Sequence, residues 1–250
     1  MPPSDSRAGA LTGRAVLVCA ALTIAGHYAS GDWRWLHYLF KPLTTALIFA
    51  AAFRANDHVD ERYRTAVLAG IAFSLIGDVF LMLDDRFFVV GLLCFLVAHV
   101  CYLVAFTTQC QLGVRRLPFL VLGVIGLANL ATLWPSLAGG LRIPVVVYVA
   151  MLVAMASQAV ARALRFRTSS SRVASLGGVL FLASDTVLAH NKFGAPFRSA
   201  TLLVLATYYA AQWAIAQSVR ESITGSGAGR DQNHDTRVRS SAAMRHGTRA

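Results

Sequence analysis

Two aspartates stand where a chain this apolar should have none. Asp78 lies in Phe-Ser-Leu-Ile-Gly-Asp-Val-Phe-Leu-Met-Leu (73–83) and Asp185 in Gly-Gly-Val-Leu-Phe-Leu-Ala-Ser-Asp-Thr-Val-Leu-Ala-His (177–190). The other ten of the 12 acidic residues fall in tails, loops or at the ends of apolar runs. A carboxylate inside a membrane span costs about 2.5–3.5 kcal/mol on insertion scales, so it usually serves a function and faces the bundle interior. Singly, each could be a structural aspartate bonded to a neighbouring helix. Together they are equipment for handling protons, in a hydrolytic enzyme or in a proton-coupled transporter or lipid flippase.

A few further residues could join them. His99 lies near the middle of its own apolar run and is the third candidate catalytic group. Tyr102, Tyr209 and Gln212 are polar handles, for packing or for contact with a substrate, and Tyr102 and Tyr209 are candidate substrate-binding residues. The chain has only two lysines, Lys41 before Pro42 and Lys192 after His190 and Asn191. Both lysines are expected at the outer mouth of a cavity holding the acids, where a compact cation suits a phosphate head group, and Lys41, His190 and Asn191 are candidate substrate-binding residues. Interfacial snorkelling is the other use of such a lysine.

The elements that must carry these groups follow from composition. Of 250 residues, 56% are apolar and 14% charged, with mean hydropathy +0.56. A soluble domain carries roughly 25% charged residues, and four cysteines make no disulfide framework. The net charge of +11 marks no nucleic-acid partner, because the basic residues sit between apolar runs rather than along a stripe interleaved with aromatics. The pattern predicts an all-α polytopic membrane protein with membrane lipids as its surroundings.

Eight runs are long enough to cross a bilayer: 14–29, 36–53, 64–83, 87–108, 117–134, 141–163, 173–190 and 197–219. The first, after Arg7 and Arg14, has the look of a signal peptide, but seven further spans make it an uncleaved helix. The expected organisation is an N-tail (1–13), an eight-helix domain (14–220) and a disordered basic tail (221–250). With eight spans, 17 Lys and Arg lie on the side of the termini and 6 on the other, which puts both termini in the cytoplasm of a cell-membrane protein.

Depth and repetition bring the acids together. Asp78 and Asp185 each sit about 18–21 Å along a helix running from inside to outside. An offset of 107 residues carries Asp78 onto Asp185, Gly70 onto Gly177, Leu81 onto Leu188 and Tyr102 onto Tyr209. This predicts two pseudo-repeated four-helix halves. There is no Gly-x-Ser-x-Gly elbow, no His-Glu-x-x-His, no paired Cys-x-x-Cys and no Walker motif, so neither a metal nor another cofactor is implied.

The segments at 73–83, 91–102 and 178–189, with the Lys41-Pro42 pair, resemble the YhhN family, which includes the eukaryotic lysoplasmalogenases. The resemblance spans about residues 40–220. It implies an eight-helix enzyme that hydrolyses the vinyl ether of a lysophospholipid to a fatty aldehyde and a glycerophospho-base. Such ethers are protonated at carbon and the resulting oxocarbenium ion is captured by water. One protonated acid and one carboxylate divide that work much as in glycoside hydrolysis, and a coupled pair would share one proton between them.

The charge asymmetry makes its own prediction. A cysteine introduced at Gly227 should resist membrane-impermeant thiol reagents in intact cells and react after lysis. Labelling without lysis would reverse the orientation.

Overall fold

The computed structural model describes residues 3–29, 31–55 and 60–220. The tail expected at 221–250 lies outside the described residues. Among them there are eight α-helices and no strand: α1 (Pro3–Tyr28), α2 (Trp35–Phe53), α3 (Glu61–Leu83), α4 (Phe88–Thr107), α5 (Arg116–Leu133), α6 (Gly139–Phe166), α7 (Ser169–Phe193) and α8 (Ala200–Gln217). Local chemistry sets several ends. The Asp60 carboxylate accepts from the Arg62 and Tyr63 amides at 2.8 and 3.1 Å to open α3, and the Thr168 hydroxyl caps α7 through the Ser171 amide. Arg167 takes a left-handed conformation (φ 56°) to turn α6 straight into α7.

Seven of the eight helices, all but α8, are long and apolar enough to cross a membrane, so the chain is a multi-pass membrane protein. The eighth crossing expected at 197–219 corresponds to α8, which falls short because it carries Thr201, Thr207, Gln212 and two tyrosines. Those polar groups fit its position: Tyr208, Tyr209, Gln212 and Ile215 are all buried. Most boundaries fall within a few residues of the expected ones. α7 continues to Phe193, taking Asn191 and Lys192 into the helix, and Lys41 and Pro42 lie inside α2.

The order of packing is a closed ring. Helix α2 packs on α3, α3 on α4, α4 on α6, α6 on α7, α7 on α8, and α8 back on α2; α1 lies outside against α2 and α8, and α5 outside against α6. Large apolar side chains cover the outer surface, with Leu117, Leu127 and Ile143 at 67%, 68% and 77% exposure. Polar side chains such as Thr45, Ser74, Gln158 and Gln212 are fully buried within. That distribution inverts a soluble protein's and suits a lipid surround.

Two glycines let the ring close. A Cβ on Gly70 of α3 would overlap the Tyr102 ring on α4, and one on Gly177 of α7 would fall 2.7 Å from Ile215 Cγ1 and 2.9 Å from the Ala211 carbonyl of α8. Gly70→Ala should therefore destabilise the bundle by about 1–3 kcal/mol, the scale of an overpacked core. A lowered thermal midpoint in detergent would report it. Gly123→Ala, where an added methyl meets nothing within 4 Å, should leave the midpoint in place.

Candidate active site

At one end of the helix ring α1, α3 and α7 finish and α2, α4 and α8 begin. A cavity of about 210 Å³ opens there, and both Asp78 and Asp185 line it. Lys41 and Asn191 line it too, as do Lys192, Tyr208 and the two histidines His27 and His37. Among the described residues, no three His, Cys, Asp or Glu side chains converge as metal ligands would.

Asp78 is almost fully enclosed, with 2% of its side chain exposed. Its Oδ2 accepts from Thr45 Oγ1 on α2 at 2.8 Å and from the Tyr208 hydroxyl on α8 at 2.6 Å. Lys41 Nζ stands 3.6 Å from Oδ1. The carboxylate therefore joins three helices. Behind Tyr208 a directed chain runs away from the cavity: the Gln212 amide donates to the Tyr208 oxygen at 3.3 Å, and the Tyr102 hydroxyl donates to Gln212 Oε1 at 2.6 Å. Every proton in this chain points toward Asp78.

Asp185 is held differently. The Tyr148 hydroxyl of α6 donates to its Oδ2 at 2.5 Å, and His99 Nε2 of α4 lies 3.8 Å from the same oxygen, too far for a hydrogen bond. Its Oδ1 has no hydrogen-bond partner among the described residues, and 10% of the side chain is exposed. His99 is fully buried, its ring edge-on to Tyr148 and Phe181 with centroids 5.2 and 4.8 Å away, and neither ring nitrogen makes a hydrogen bond. The two acids thus share a cavity but not a hydrogen-bonding pattern.

Other sequence candidates fall elsewhere. Tyr102 lies behind the cavity, reaching Asp78 only through Gln212 and Tyr208. Tyr209, one residue on from Tyr208, is turned about 100° around α8 toward Thr23 and Thr44, and it does not line the cavity. His190 faces α5, with its ring nitrogens at 2.9 Å from the Thr186 carbonyl and 3.3 Å from Thr132 Oγ1. Asn191 lines the cavity while its Oδ1 accepts from the Phe197 amide at 3.4 Å.

Several cavity groups were not legible beforehand. Tyr148 and Tyr208 sit in ordinary apolar helix sequence and carry no spacing signal. His37 and His27 flank the α1–α2 connection, with ring centroids 5.2 Å apart, and His37 Nδ1 lies 3.1 Å from the Thr23 carbonyl. At the rim Lys192 Nζ pairs with Asp85 Oδ1 at 2.8 Å, tying α7 to the α3–α4 turn.

Known proteins match over the same stretch of chain. The YhhN family matches residues 36–219. The lysoplasmalogenase TMEM86A of Bos taurus is 35% identical over 194 residues, covering 75% of this chain and 80% of its own. Its Homo sapiens counterpart is 34% identical over the same extent. The uncharacterized membrane protein YhhN of Escherichia coli O157:H7 is 28% identical over 206 residues, 82% of this chain and 96% of that one. No solved structure matches. The matched span runs from the start of α2 to the end of α8, taking in the whole ring and every group that lines the cavity except His27, and on that ground the chain belongs to the YhhN family.

Proposed function

We propose that the protein is a membrane-embedded hydrolase of lysoplasmalogen-like lysophospholipids, cleaving the vinyl ether to a fatty aldehyde and a glycerophospho-base. The observation that carries this reading is the unequal surroundings of two acids in one cavity, alongside relatives named lysoplasmalogenase. Asp78, whose Oδ2 takes two hydroxyl donors and whose Oδ1 faces Lys41, is prepared to be a carboxylate. Asp185, with Oδ1 unpaired, is the acid with an oxygen free to deliver a proton.

The reaction assigned to them balances in three steps. Asp185 gives its proton to the ether's outer vinyl carbon, and the inner carbon becomes an oxocarbenium ion. Water adds to that carbon and returns one proton to Asp185, leaving a hemiacetal. The hemiacetal then collapses to the aldehyde and the free glycerol hydroxyl. Asp78 stabilises the cation electrostatically across the cavity. His99, whose Nε2 stands 3.8 Å from Asp185 Oδ2, relays its proton once that gap closes. Lys41 divides its charge between Asp78 and the substrate phosphate, with Asn191 beside it. Tyr102 and Tyr209 support the Asp78 wall rather than touching the lipid, and His190 anchors α7 to α5.

The same reading includes a topology. Helix α8 is the eighth crossing, and both termini face the cytoplasm, so the cavity opens at the outer face of the cell membrane. The two halves are pseudo-repeats. Besides the 107-residue offset, each aspartate is met by the side chain 37 positions upstream, on the helix before it: Lys41 for Asp78 and Tyr148 for Asp185.

Two measurements test the assignment on purified protein in detergent with lysoplasmalogen. Asp185→Asn and Asp78→Asn should each cut turnover by roughly 100-fold or more, and the double variant should be little worse than either. Multiplicative losses would mean that the acids do not work together. Lys41→Met should weaken substrate use by about 1–3 kcal/mol, with the larger share in KM. An analogue lacking phosphate should suffer less; an equal loss would make Lys41 only the counter-charge of Asp78.

A further inference from the structure

A second, narrower cavity of about 60 Å³ runs between α4, α5, α6 and α7. Its walls are apolar, formed by Leu92, Leu130, Leu133, Val149, Leu152 and Leu182. Asn129 in the wall donates to the Ile125 carbonyl of its own helix at 2.8 Å and so is spent locally. This cleft touches the polar cavity at Phe88, Asp185 and Leu188, which line both. Asp78 and Lys41 line only the polar one, and Tyr148 only the apolar one.

We infer that the cleft takes the first few carbons of the lipid's single hydrocarbon chain, those next to the ether, so that the bond to be cleaved is delivered to Asp185 and Tyr148 rather than to Asp78. The inference rests on the hydrolase reading for the reaction, but the cleft itself stands on its lining. A lysolipid is polar at one end and hydrocarbon at the other, and its ether link lies at the junction. The protein has the matching junction at one ionisable side chain, Asp185. The lysine and histidines on the polar side fit a phosphate-bearing glycerol, and the leucines and valine on the other side offer a chain no hydrogen-bonding group to displace.

The cleft's contribution is alignment more than affinity. A chain leaving the bilayer for an apolar cleft exchanges one apolar surround for another, so little hydrophobic driving force is gained. What the cleft decides is which carbon rests beside Asp185. Filling it should alter chain-length preference more than overall lipid binding.

The test uses the full chain in lipid nanodiscs and a probe that cannot be hydrolysed: a lysophospholipid with a saturated ether-linked chain bearing a diazirine within a few carbons of the ether oxygen. After irradiation, peptide mapping should place adducts on Leu130, Leu133, Val149 or Leu152. Val149→Trp should cut their yield at least five-fold, and the milder Val149→Phe should cut it less. Adducts confined to the outward-facing Leu120, Leu127 and Ile143, or a yield indifferent to both variants, would overturn the inference. With vinyl-ether substrates, Val149→Trp should lower the ratio of kcat/KM for an eight-carbon over a two-carbon chain, which has nothing beyond the vinyl group, at least ten-fold; an equal loss for both would also overturn it. Should the wild type cleave no vinyl ether while the probe still maps to the cleft, the chain site stands and the assigned reaction falls.

Discussion

A carboxylate inside a membrane protein must be surrounded by donors, and for Asp78 those donors come from other helices. Thr45 and Lys41 arrive from α2 and Tyr208 from α8. Removing any one leaves a buried acceptor short of a partner, at a cost comparable to a lost hydrogen bond to a charged group. The need to satisfy Asp78 therefore fixes α2, α3 and α8 against one another. The chain from Tyr102 through Gln212 and Tyr208 extends the constraint to α4, since each hydroxyl or amide is oriented by the next.

Asp185 meets the same constraint incompletely. One short hydrogen bond from Tyr148 holds it, His99 stands off at 3.8 Å, and one oxygen remains open to the cavity. The difference is one of geometry rather than residue type. The acids lie on opposite helices of one ring, α3 and α7, and Asp78 has two hydroxyl donors and a lysine where Asp185 has one hydroxyl. Paired acids whose surroundings differ in this way are the usual means by which one carboxyl is kept as an anion while its neighbour carries a proton.

The polar interior also accounts for α8. A helix bearing Thr201, Thr207, Gln212 and two tyrosines suits lipid poorly, but α8 buries Tyr208, Tyr209 and Gln212 against α2, α3, α4 and α7. Its low apolarity comes from that buried face, while Leu202 and Leu203 stay exposed on the other. The glycines on the closest faces, Gly70 against Tyr102 and Gly177 against Ile215, bring backbones near enough for these side chains to meet.

Much was legible in the residues alone. The apolar runs marked the helices, since a bilayer demands about 20 such residues and satisfied backbone groups. Asp78 and Asp185 stood out because a charge in an apolar run is costly enough to be rare. The 3.6-residue period does not say which way a side chain faces when the whole helix is apolar, so neither Tyr208 nor Tyr148, set among valines, is marked as the partner of an acid. His190 and Asn191 are adjacent in sequence, yet helical rotation sends the first toward α5 and the second to the cavity. What the sequence determined by itself was the helices and the two acids, because both follow from the price of placing polar groups in lipid. What only the tertiary structure decided was the set of partners around each acid and the meeting of a polar cavity with an apolar cleft at Asp185, because those depend on rotations of packed helices that an unbroken apolar sequence does not encode.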